Sequence, residues 1–221
     1  MKIIAKREAI LSPLQAVIGV VERKQTMPIL ANVLVAATGG KLSITATDLE
    51  VELVATSDVD VQRGGEITIP GRKLLDICRA LPEGTEITLT QEGERMLVRA
   101  RKSRFTLTTL PAAEFPTVEE INAEQTLQLP QKDFKRLLDK THFSMAQQDV
   151  RYYLNGLLLE TSAKMLRAVA TDGHRLALCE VELANGGKAG QQVIVPREGV
   201  LELQRILGNE DQVLGVSIGS K

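Results

Sequence analysis

The amino-acid sequence predicts an α+β protein made of two tandem copies of one domain, each combining antiparallel sheets with helices. The main observation is a repeat: residues 30–54 recur as residues 154–178, at a constant offset of 124 residues. The aligned pairs that are identical are Leu30/Leu154, Leu34/Leu158, Leu42/Leu166, Ala46/Ala170, Thr47/Thr171 and Asp48/Asp172. The helically spaced positions 10, 14 and 17 fall on 134, 138 and 141 at the same offset. A repeat of this length is a whole domain rather than a short motif.

The composition agrees with a globular chain of this size. The 221 residues are 43% hydrophobic and 25% charged, which is enough for two domains of roughly 110 residues each. The sequence contains no run approaching the ~18 uninterrupted apolar residues of a membrane span. Its N-terminal MKIIAKREAI lacks the apolar core of a signal peptide. We therefore expect a cytoplasmic protein that does not enter membranes.

Apolar periodicity predicts the order strand, helix and three strands, repeated once, so each domain consists of two βαβββ halves. The first half has a strand at 2–5, a helix at 8–20 and strands at 33–36, 42–46 and 51–55. The second half has a strand at 66–69, a helix at 72–81 and strands at 86–90, 96–99 and 104–109. Glycine-rich turns are expected at 38–41, 63–65, 82–84 and 92–94.

The boundary between the two copies is expected near residue 125. Residues 111–130 are bounded by prolines and are acidic, which is typical of a connector rather than of a core element. This assignment gives a first domain over 1–125 and a second domain over 126–221.

The second copy stops early by comparison with the first. Residues 216–218 are expected to correspond to the strand at 87–89, which leaves two strands of the first copy without a counterpart. An incomplete domain exposes the unpaired N–H and C=O groups of a sheet edge. The chain is therefore expected to be a fragment.

The cysteines and histidines do not indicate a metal or cofactor site. Cys78 and Cys179 lie in apolar contexts far apart in the chain, which favours buried thiols over a disulfide. His142 and His174 are the only histidines, too few for a dedicated metal site. We expect no metal and no cofactor.

Charge is distributed unevenly between the helices and the rest of the chain. The helical segments 6–24, 71–81, 131–141 and 197–207 carry 13 Lys/Arg against 7 Asp/Glu, whereas the remaining residues have a net charge of −7. Basic helix faces are suited to tracking phosphates. The alternative is that these lysines and arginines serve only solubility, as they do on many helices.

Helical spacing predicts which side chains form the basic faces. On the second helix, the expected apolar stripe is Leu74, Ile77, Cys78 and Leu81. It turns Arg72 and Arg79 to the solvent around Asp76. On the third helix, the residues expected inside are Phe134, Leu137, Leu138 and Thr141, and those outside are Lys132, Lys135 and Arg136.

Several motifs closely resemble one family over the whole length of the chain. The segments ATDGHRLAL, FSMAQQDVRYYLNG, RKLLDICRALPEG and RFTLTTLPAAEFP resemble the sliding clamp, the beta subunit of bacterial DNA polymerase III. The resemblance implies a homodimeric ring of three-domain protomers, with helices on the inner, DNA-facing side and antiparallel sheets outside. Such a ring encircles duplex DNA without sequence specificity and acts as a processivity factor in DNA replication. We expect the third of these domains to be absent from this chain.

The resemblance also implies a role as an accessory subunit of the DNA-directed DNA polymerase, a nucleotidyltransferase complex, with no catalytic activity of its own. Its implied DNA-binding residues are Lys24, Arg72, Gln148, Tyr152 and Tyr153, supported by Arg23, Lys73, Arg79 and Arg197. For the two tyrosines the alternative is that they are ordinary strand residues, one buried and one exposed. Glu198 is expected to weaken DNA attraction beside Arg197.

The second implied surface is a cleft that captures short peptide motifs from polymerases, the clamp loader and repair proteins. The wall carried by this chain is Leu154, Thr171, Gly173, His174, Arg175 and Leu176. The alternative is a purely structural turn, because Thr47 and Asp48 recur without the histidine. The opposite wall belongs to the third domain, so we expect weak peptide binding, which a submicromolar Kd would contradict.

Ring closure is implied to use the edge strand with Arg104, Phe105 and Leu107, which meets the third domain of a neighbour. A head-to-tail contact needs two different surfaces. We therefore expect this chain to be monomeric in dilute solution and the full-length protein to be a homodimer.

Two other classes of function compete with the clamp. A hydrolase would use Cys179, His174 and Asp172 as nucleophile, base and orienting group. Positions 174 and 179 would face opposite sides of a regular strand, which disfavours it. A sequence-specific DNA-binding regulator would need a helix-turn-helix or zinc motif, and the sequence contains neither.

Overall fold

The computed structural model describes residues 1–21, 27–118, 122–184, 186–187 and 190–220. Its contacts divide the chain into two compact units, Met1–Val118 and Glu119–Lys221. The expected boundary near residue 125 falls inside a strand of the second unit, Asn122–Pro130. These residues form a strand because Leu127 and Leu129 alternate with polar residues and are buried, each only 2% exposed.

The first unit consists of two βαβββ halves and one additional short strand. Its elements are β1 (Lys2–Lys6), α1 (Arg7–Val17), β2 (Asn32–Thr38), β3 (Lys41–Thr47), β4 (Glu52–Asp58), β5 (Asp60–Arg63), β6 (Gly65–Pro70), α2 (Gly71–Ala80), β7 (Glu86–Glu92), β8 (Arg95–Ala100) and β9 (Ser103–Thr108). The strands form antiparallel sheets in the orders β4-β3-β2-β6 and β5-β1-β7-β8-β9. The expected α+β class is confirmed, and β5 was not predicted.

The core of the first unit joins both sheets to the two helices. Ile10 and Leu14 of α1 and Leu74 of α2 are fully buried in one cluster with residues from both sheets. The buried face of α2 differs from the predicted stripe, because Leu75 is buried while Ile77 and Leu81 are half-buried. The helix is therefore rotated relative to the face expected from spacing alone.

The second unit repeats this plan. Its elements are β10 (Asn122–Pro130), α3 (Gln131–Thr141), β11 (Gly156–Thr161), β12 (Met165–Thr171), β13 (Leu176–Glu182), β14 (Gln192–Pro196), α4 (Arg197–Ile206) and β15 (Val213–Ser220). Among the described residues its strands pair in the orders β13-β12-β11-β14 and β10-β15. The first sheet has the same internal order as β4-β3-β2-β6, as the repeat predicts.

The pairing of β15 corrects the expected correspondence with the first unit. Ile3 pairs with Leu89, and its repeat partner Leu127 pairs with Val216. Residues 214–216, rather than 216–218, therefore correspond to residues 87–89. The connection after the helix, which runs from 81 to 85 in the first unit and from 207 to 212 in the second, is only one residue longer in the second unit, whereas the expected correspondence required three more residues there.

Candidate functional site

Arg72 at the start of α2 is less accessible than helical spacing predicted. Its side chain is half-buried, and its Nη2 donates a 2.6 Å hydrogen bond to the Val21 carbonyl. Its Nε is buried without a hydrogen-bond partner among the described residues. Arg72 therefore fastens the end of segment 1–21 to α2 instead of lying free on the helix surface.

The other basic residues expected on this surface fall into two groups. Lys73 and Arg79 are exposed on α2, on either side of the exposed Asp76. Arg23 and Lys24 lie outside the described residues. The accessible positive charge of α2 is thus provided by Lys73 and Arg79.

On α3, the predicted inner face is confirmed but the outer cations are occupied. Phe134, Leu137, Leu138 and Thr141 are all buried. Each expected outer cation contacts an acceptor of its own unit: Lys132 the Asp211 carboxylate, Lys135 the Gln204 carbonyl at 3.3 Å, and Arg136 the Glu180 carbonyl at 3.3 Å. The Asp211 carboxylate offsets the charge of Lys132, and the two carbonyl contacts hold Lys135 and Arg136 against their own unit.

The loop before β11 is held by hydrogen bonds from Arg151 to the Asp149 carboxylate. Arg151 donates to Asp149 from its backbone N at 2.8 Å, from Nε at 3.0 Å and from Nη2 at 2.9 Å. Asn155 closes the loop, donating from Nδ2 to the Asp149 carbonyl and accepting from the Asp149 backbone N–H, each at 2.9 Å. Hydrogen bonds from Arg151 lower the pKa of Asp149 to about 2.

This loop presents the predicted polar and aromatic DNA contacts to solvent. Gln148 is exposed and has a positive φ of 58°. Tyr152 and Tyr153 are 83% and 50% exposed, with their rings 6.0 Å apart in an edge-to-face arrangement. They lie in a 3₁₀ turn, Tyr152–Leu154, so the interpretation as strand tyrosines is wrong. Leu154 is buried beneath them.

The predicted peptide wall includes a tightly bonded turn between β12 and β13. Asp172 Oδ1 accepts the backbone N–H groups of His174 and Arg175, each at 2.9 Å. Thr171 Oγ1 accepts the Gly173 N–H at 3.1 Å and donates to the Arg175 carbonyl at 2.7 Å. The backbone hydrogen bonds, with help from the Arg175 side chain, lower the pKa of Asp172 to about 2. Gly173 takes a φ of 88°, which favours glycine.

The turn is joined to the preceding loop by Arg175 and Gly173. Arg175 donates from Nη2 to the Phe143 carbonyl at 2.7 Å and lies 6.0 Å from the centre of the Phe143 ring. A Cβ on Gly173 would lie 3.2 Å from Nη2 of Arg151. The side of the turn is therefore fitted closely to the loop.

Together the loop, the turn and the start of α4 enclose a cleft of about 450 Å³. Its lining residues are Phe143, Met145, Ala146, Gln147, Gln148, Asp149, Arg151, Asp172, His174, Arg175 and Arg197. The structure thus brings Gln148 and Arg197 from the predicted DNA set into one cleft with His174 and Arg175 from the predicted peptide set. Phe143 and Arg151 were missed by sequence reasoning; the Asp-x-Arg spacing of residues 149 and 151 was the available signal.

Leu176, the last residue of the predicted wall, is 63% exposed at the start of β13. Arg197 is half-buried, and its backbone N–H donates to the Asn155 carbonyl at 3.0 Å. Glu198 beside it is exposed. The structure therefore places the acidic group in solvent next to a partly covered arginine.

The predicted ring-closure residues lie on β9, the last strand in its sheet. Arg104 is exposed, and Phe105 is 36% exposed. Leu107 faces the same side as Phe105 but is only 7% exposed, because it packs in the core of the first unit. Phe105 and the free backbone edge, rather than the Leu107 side chain, are available for contact.

The candidate hydrolase residues are not arranged as a catalytic group. Cys179 packs against the core of the second unit, while His174 is exposed in the turn. The Asp172 carboxylate accepts backbone N–H groups and Arg175 Nε at 3.0 Å. Cys179 and Cys78 are both free thiols, and burial raises the pKa of Cys78 to about 12. Among the described residues, no group of three or more His, Cys, Asp or Glu could hold a metal ion.

Within the described part of the chain, none of the helices has the length and apolar character needed to span a membrane.

The fold and these surfaces define a class: tandem clamp-type α+β domains with basic helices and a cleft beside a bonded turn. Residues 1–119 match the family model described as DNA polymerase III beta subunit, N-terminal domain, and residues 128–221 match the central domain of the same subunit. The chain belongs to the DNA polymerase III beta subunit family.

Similar proteins are found in several bacteria. The "Beta sliding clamp" of Pseudomonas aeruginosa is 53% identical over 97% of this chain and 59% of its own length. That of Escherichia coli K12 is 52% identical over 100% of this chain and 60% of its own length. The chain therefore spans about 60% of the length of these relatives.

Solved structures agree with the sequence matches. The DNA polymerase III subunit beta of Pseudomonas aeruginosa superposes with a TM-score of 0.95 at 51% identity, over 100% of this chain and 60% of that one. The pol III beta of Caulobacter crescentus gives a TM-score of 0.94 at 38% identity, over 99% of this chain and 61% of that one. The expected clamp-type fold is confirmed.

Proposed function

We propose that this chain acts within a sliding clamp, a processivity factor that encircles duplex DNA and tethers the replicative polymerase in the bacterial cytoplasm. The observation that carries the proposal is identity of 52% over the whole chain to a relative named "Beta sliding clamp". The role is that of an accessory subunit, in which a closed ring holds DNA topologically instead of catalysing a reaction.

Contact with DNA in this proposal is weak and independent of sequence. Exchangeable electrostatic contacts to phosphates let a ring slide, whereas hydrogen bonds to base edges would pin it. The exposed Lys73 and Arg79 supply cations in the first unit, and Gln148 with the exposed Tyr152 and Tyr153 supplies polar contacts in the second. Arg72 supports this surface by fixing the chain at Val21, which leads to Arg23 and Lys24.

Partner capture is proposed for the cleft in the second unit. The proposed wall for short peptide motifs of polymerases, the clamp loader and repair proteins comprises Leu154, Thr171, Gly173, His174, Arg175 and Leu176. Of these, His174 and Arg175 line the cleft itself. The exposed Leu176 offers apolar surface, and Arg151 and Arg175 line the cleft, each paired with an aspartate of its own unit. A one-sided wall leaves a bound peptide partly solvated, so this chain alone is expected to bind weakly.

Ring closure is proposed to use β9. An edge strand offers unpaired N–H and C=O groups to a neighbouring strand, and the partly exposed Phe105 adds apolar contact. Because the contact joins two different surfaces, one protomer needs a second, distinct surface to complete the ring.

The proposal is tested by primer extension with the full product of the gene, a clamp loader and a replicative polymerase on a circular template. We expect product length per binding event to increase at least several-fold when the protein is present. The Phe105→Asp variant should lose this stimulation, since a buried charge opposes closure. Exposed Val118→Ala is the matched control. Unchanged product length with the native protein would refute the proposal.

A duplex competition experiment separates the clamp from a sequence-specific regulator. Two unrelated duplexes of equal length should compete equally for the protein at one salt concentration. A preference of tenfold or more for one sequence, a difference of about 1.4 kcal/mol, would favour a regulator instead.

A further inference from the structure

In the first unit, the residues that follow β9 lie over the sheet face turned away from α1 and α2. Leu110 makes an antiparallel bridge to Thr68 of β6. The Leu110 carbonyl accepts from the Thr68 N–H at 3.2 Å and from its Oγ1 at 2.9 Å. Thr68, on the face opposite to Ile67 and Ile69, is completely buried. The segment therefore adds to the edge of β6 in the manner of an extended peptide.

The segment then inserts an aromatic side chain into an apolar groove. Phe115 is only 5% exposed and packs in a cluster with Ile29 and Leu30, against the half-buried Leu34 and Leu110. This cluster is separate from the main core of the unit. A short 3₁₀ turn, Ala112–Glu114, sets the spacing between Leu110 and Phe115.

The far end of the segment is fastened to the other edge of the same sheet. The Val118 N–H donates to Oε2 of Glu52 on β4 at 3.2 Å. Residues 110–118 thus cross the sheet from β6 to β4. Two anchored ends and a buried phenylalanine are the features of a bound peptide rather than of a loose connector.

The repeat identifies the equivalent face in the second unit. Leu30 and Leu34 correspond to Leu154 and Leu158, and Ile29 corresponds to Tyr153. Leu34 pairs with Thr68 and Leu158 pairs with Ile194, so Ile194 stands where Thr68 does. Ile194 and Tyr153 are each 50% exposed, whereas Thr68 is 0% and Ile29 7% exposed. One groove is filled by its own chain, and the described residues of the other leave it accessible.

We propose that the first unit contains a peptide-binding groove of its own, which is occupied in cis by residues 110–115, with the sequence LPAAEF. The ligand class is an extended peptide with a leucine that pairs with the edge of β6 and a phenylalanine five residues later. The self-filled groove closes the first unit to partner peptides. The contrast with the second unit rests on the proposed function, the capture of peptides by that unit. The existence of the groove in the first unit does not depend on that proposal.

Tethering explains why the groove stays filled. A segment joined to its site by a short link has an effective concentration on the order of millimolar. A free peptide with the same contacts and at micromolar concentration competes poorly against it. Removing the phenylalanine side chain should therefore convert the groove into a site that accepts a peptide in trans.

The test is a titration of the 221-residue chain with the synthetic heptapeptide LPAAEFP, followed by NMR of ¹³C-labelled isoleucine methyl groups. Ile29 reports on the first groove and Ile194 on the second. In the Phe115→Ala variant, we expect the peptide to shift the Ile29 signal. The apparent Kd of this titration should be lower than that of the unaltered chain by a factor on the order of ten or more. The control variant is Glu114→Ala, an exposed neighbour, and the control peptide is LPAAEAP.

A folded Phe115→Ala protein in which Ile29 does not respond would overturn the proposal. A response of Ile194 alone would support peptide capture by the second unit while overturning the self-filled groove. Should Phe115→Ala unfold the first unit, Phe115→Leu is the second variant, because it weakens the hold of the segment while leaving the groove itself unaltered. The same Ile29 response is then expected, and its absence in folded Phe115→Leu would overturn the proposal equally.

Discussion

The turn at residues 47–51 in the first unit and the turn at 171–175 in the second have the same backbone bonding but different side chains. In the first, Asp48 Oδ1 accepts the N–H groups of residues 50 and 51 at 3.0 and 2.7 Å. In the second, Asp172 Oδ1 accepts those of residues 174 and 175, each at 2.9 Å. Only the Thr-Asp pair is common to both, so that pair is sufficient to specify the turn.

The third position of each turn shows what the difference means. Leu49 has a φ of 81° and Gly173 a φ of 88°, so the first turn holds a leucine in a conformation that costs a side chain free energy. Glycine is therefore not required to make this turn. In the second unit glycine avoids a close contact with Arg151, whose guanidinium would lie 3.2 Å from a Cβ. The second turn has been fitted to a cleft, and the first has not.

The largest effect concerns the independence of the two units, on which this comparison depends. Leu14 and Leu138 are repeat partners, 0% and 1% exposed. Replacement of either by alanine should cost about 2 to 5 kcal/mol of the free energy of unfolding. We expect Leu138→Ala to lower the unfolding transition of the second unit alone, as resolved by the Ile194 and Ile29 methyl signals in urea.

Leu14→Ala is the matched control and should move only the Ile29 signal. If each substitution lowered both transitions equally, the units would unfold as one cooperative block. The turns could then not be compared as independent copies.

The next effect comes from exchanging the third residues of the turns. Gly173→Leu should lower the free energy of unfolding of the second unit by about 1 to 3 kcal/mol, from strain at positive φ and contact with Arg151. Leu49→Gly should raise that of the first unit by up to about 1 kcal/mol, because relief of strain exceeds the added chain entropy. Urea denaturation of each variant measures both values.

Leu49→Ala provides the control for the exchange, since it shortens the side chain but keeps the strained backbone. Its free energy of unfolding should change less than that of Leu49→Gly. An equal gain for alanine and glycine would assign the effect to removal of a half-exposed leucine rather than to the turn.

A third effect is the acid sensitivity of the second unit. Asp149 and Asp172 have pKa values of about 2, below the ~3.9 of an unfolded aspartate. Their contribution to stability is therefore complete above about pH 5 and is lost as the pH falls through 3.9 towards 2. We expect the Tm of the second unit to fall over this window, and Asp149→Asn with Asp172→Asn to flatten the fall.

Asp58→Asn removes the same charge from an exposed site of the first unit and serves as the control. Its Tm should follow the unaltered chain between pH 5 and 2. If the Tm of the double variant fell as steeply with decreasing pH as that of the unaltered chain, these carboxylates would not govern the acid response.

Much of the fold could be predicted because the repeat supplied each element twice. Strand β5 was missed because Val61 is the only apolar residue in its four, so it has no alternation to detect. Residues 122–130 were interpreted as a connector because prolines bound the region, although Leu127 and Leu129 alternate correctly. Local pattern cannot show that β15 supplies the partner for this strand.

The candidate site was predictable only where a motif marked it. The 171–175 turn was found from its residues as the structural alternative to the peptide wall, and the hydrogen bonds to Asp172 Oδ1 show how this turn forms. The hydrogen bonds of Arg151 to Asp149 are local, but the approach of Arg151 to Gly173 joins residues from separate segments, which a local pattern does not show. Likewise, helical spacing predicted that Arg72 faces solvent. It could not show that the Val21 carbonyl accepts a hydrogen bond from the Arg72 guanidinium.

The smallest effect compares the proposed DNA contacts of the two units. Arg79 is exposed on α2, whereas Arg197 is half-buried in the cleft beside the exposed Glu198. Replacing Arg79 by alanine should weaken binding to any duplex and reduce the slope of log K against log salt by about 1. Replacing Arg197 should change the slope by less, because the arginine is partly covered and Glu198 already offsets its charge. Fluorescence anisotropy of a labelled duplex at several salt concentrations measures both slopes. Glu198→Gln should strengthen binding slightly when Arg197 is present and less when it is absent. Equal slopes for the two arginine variants would instead show that both units hold DNA alike.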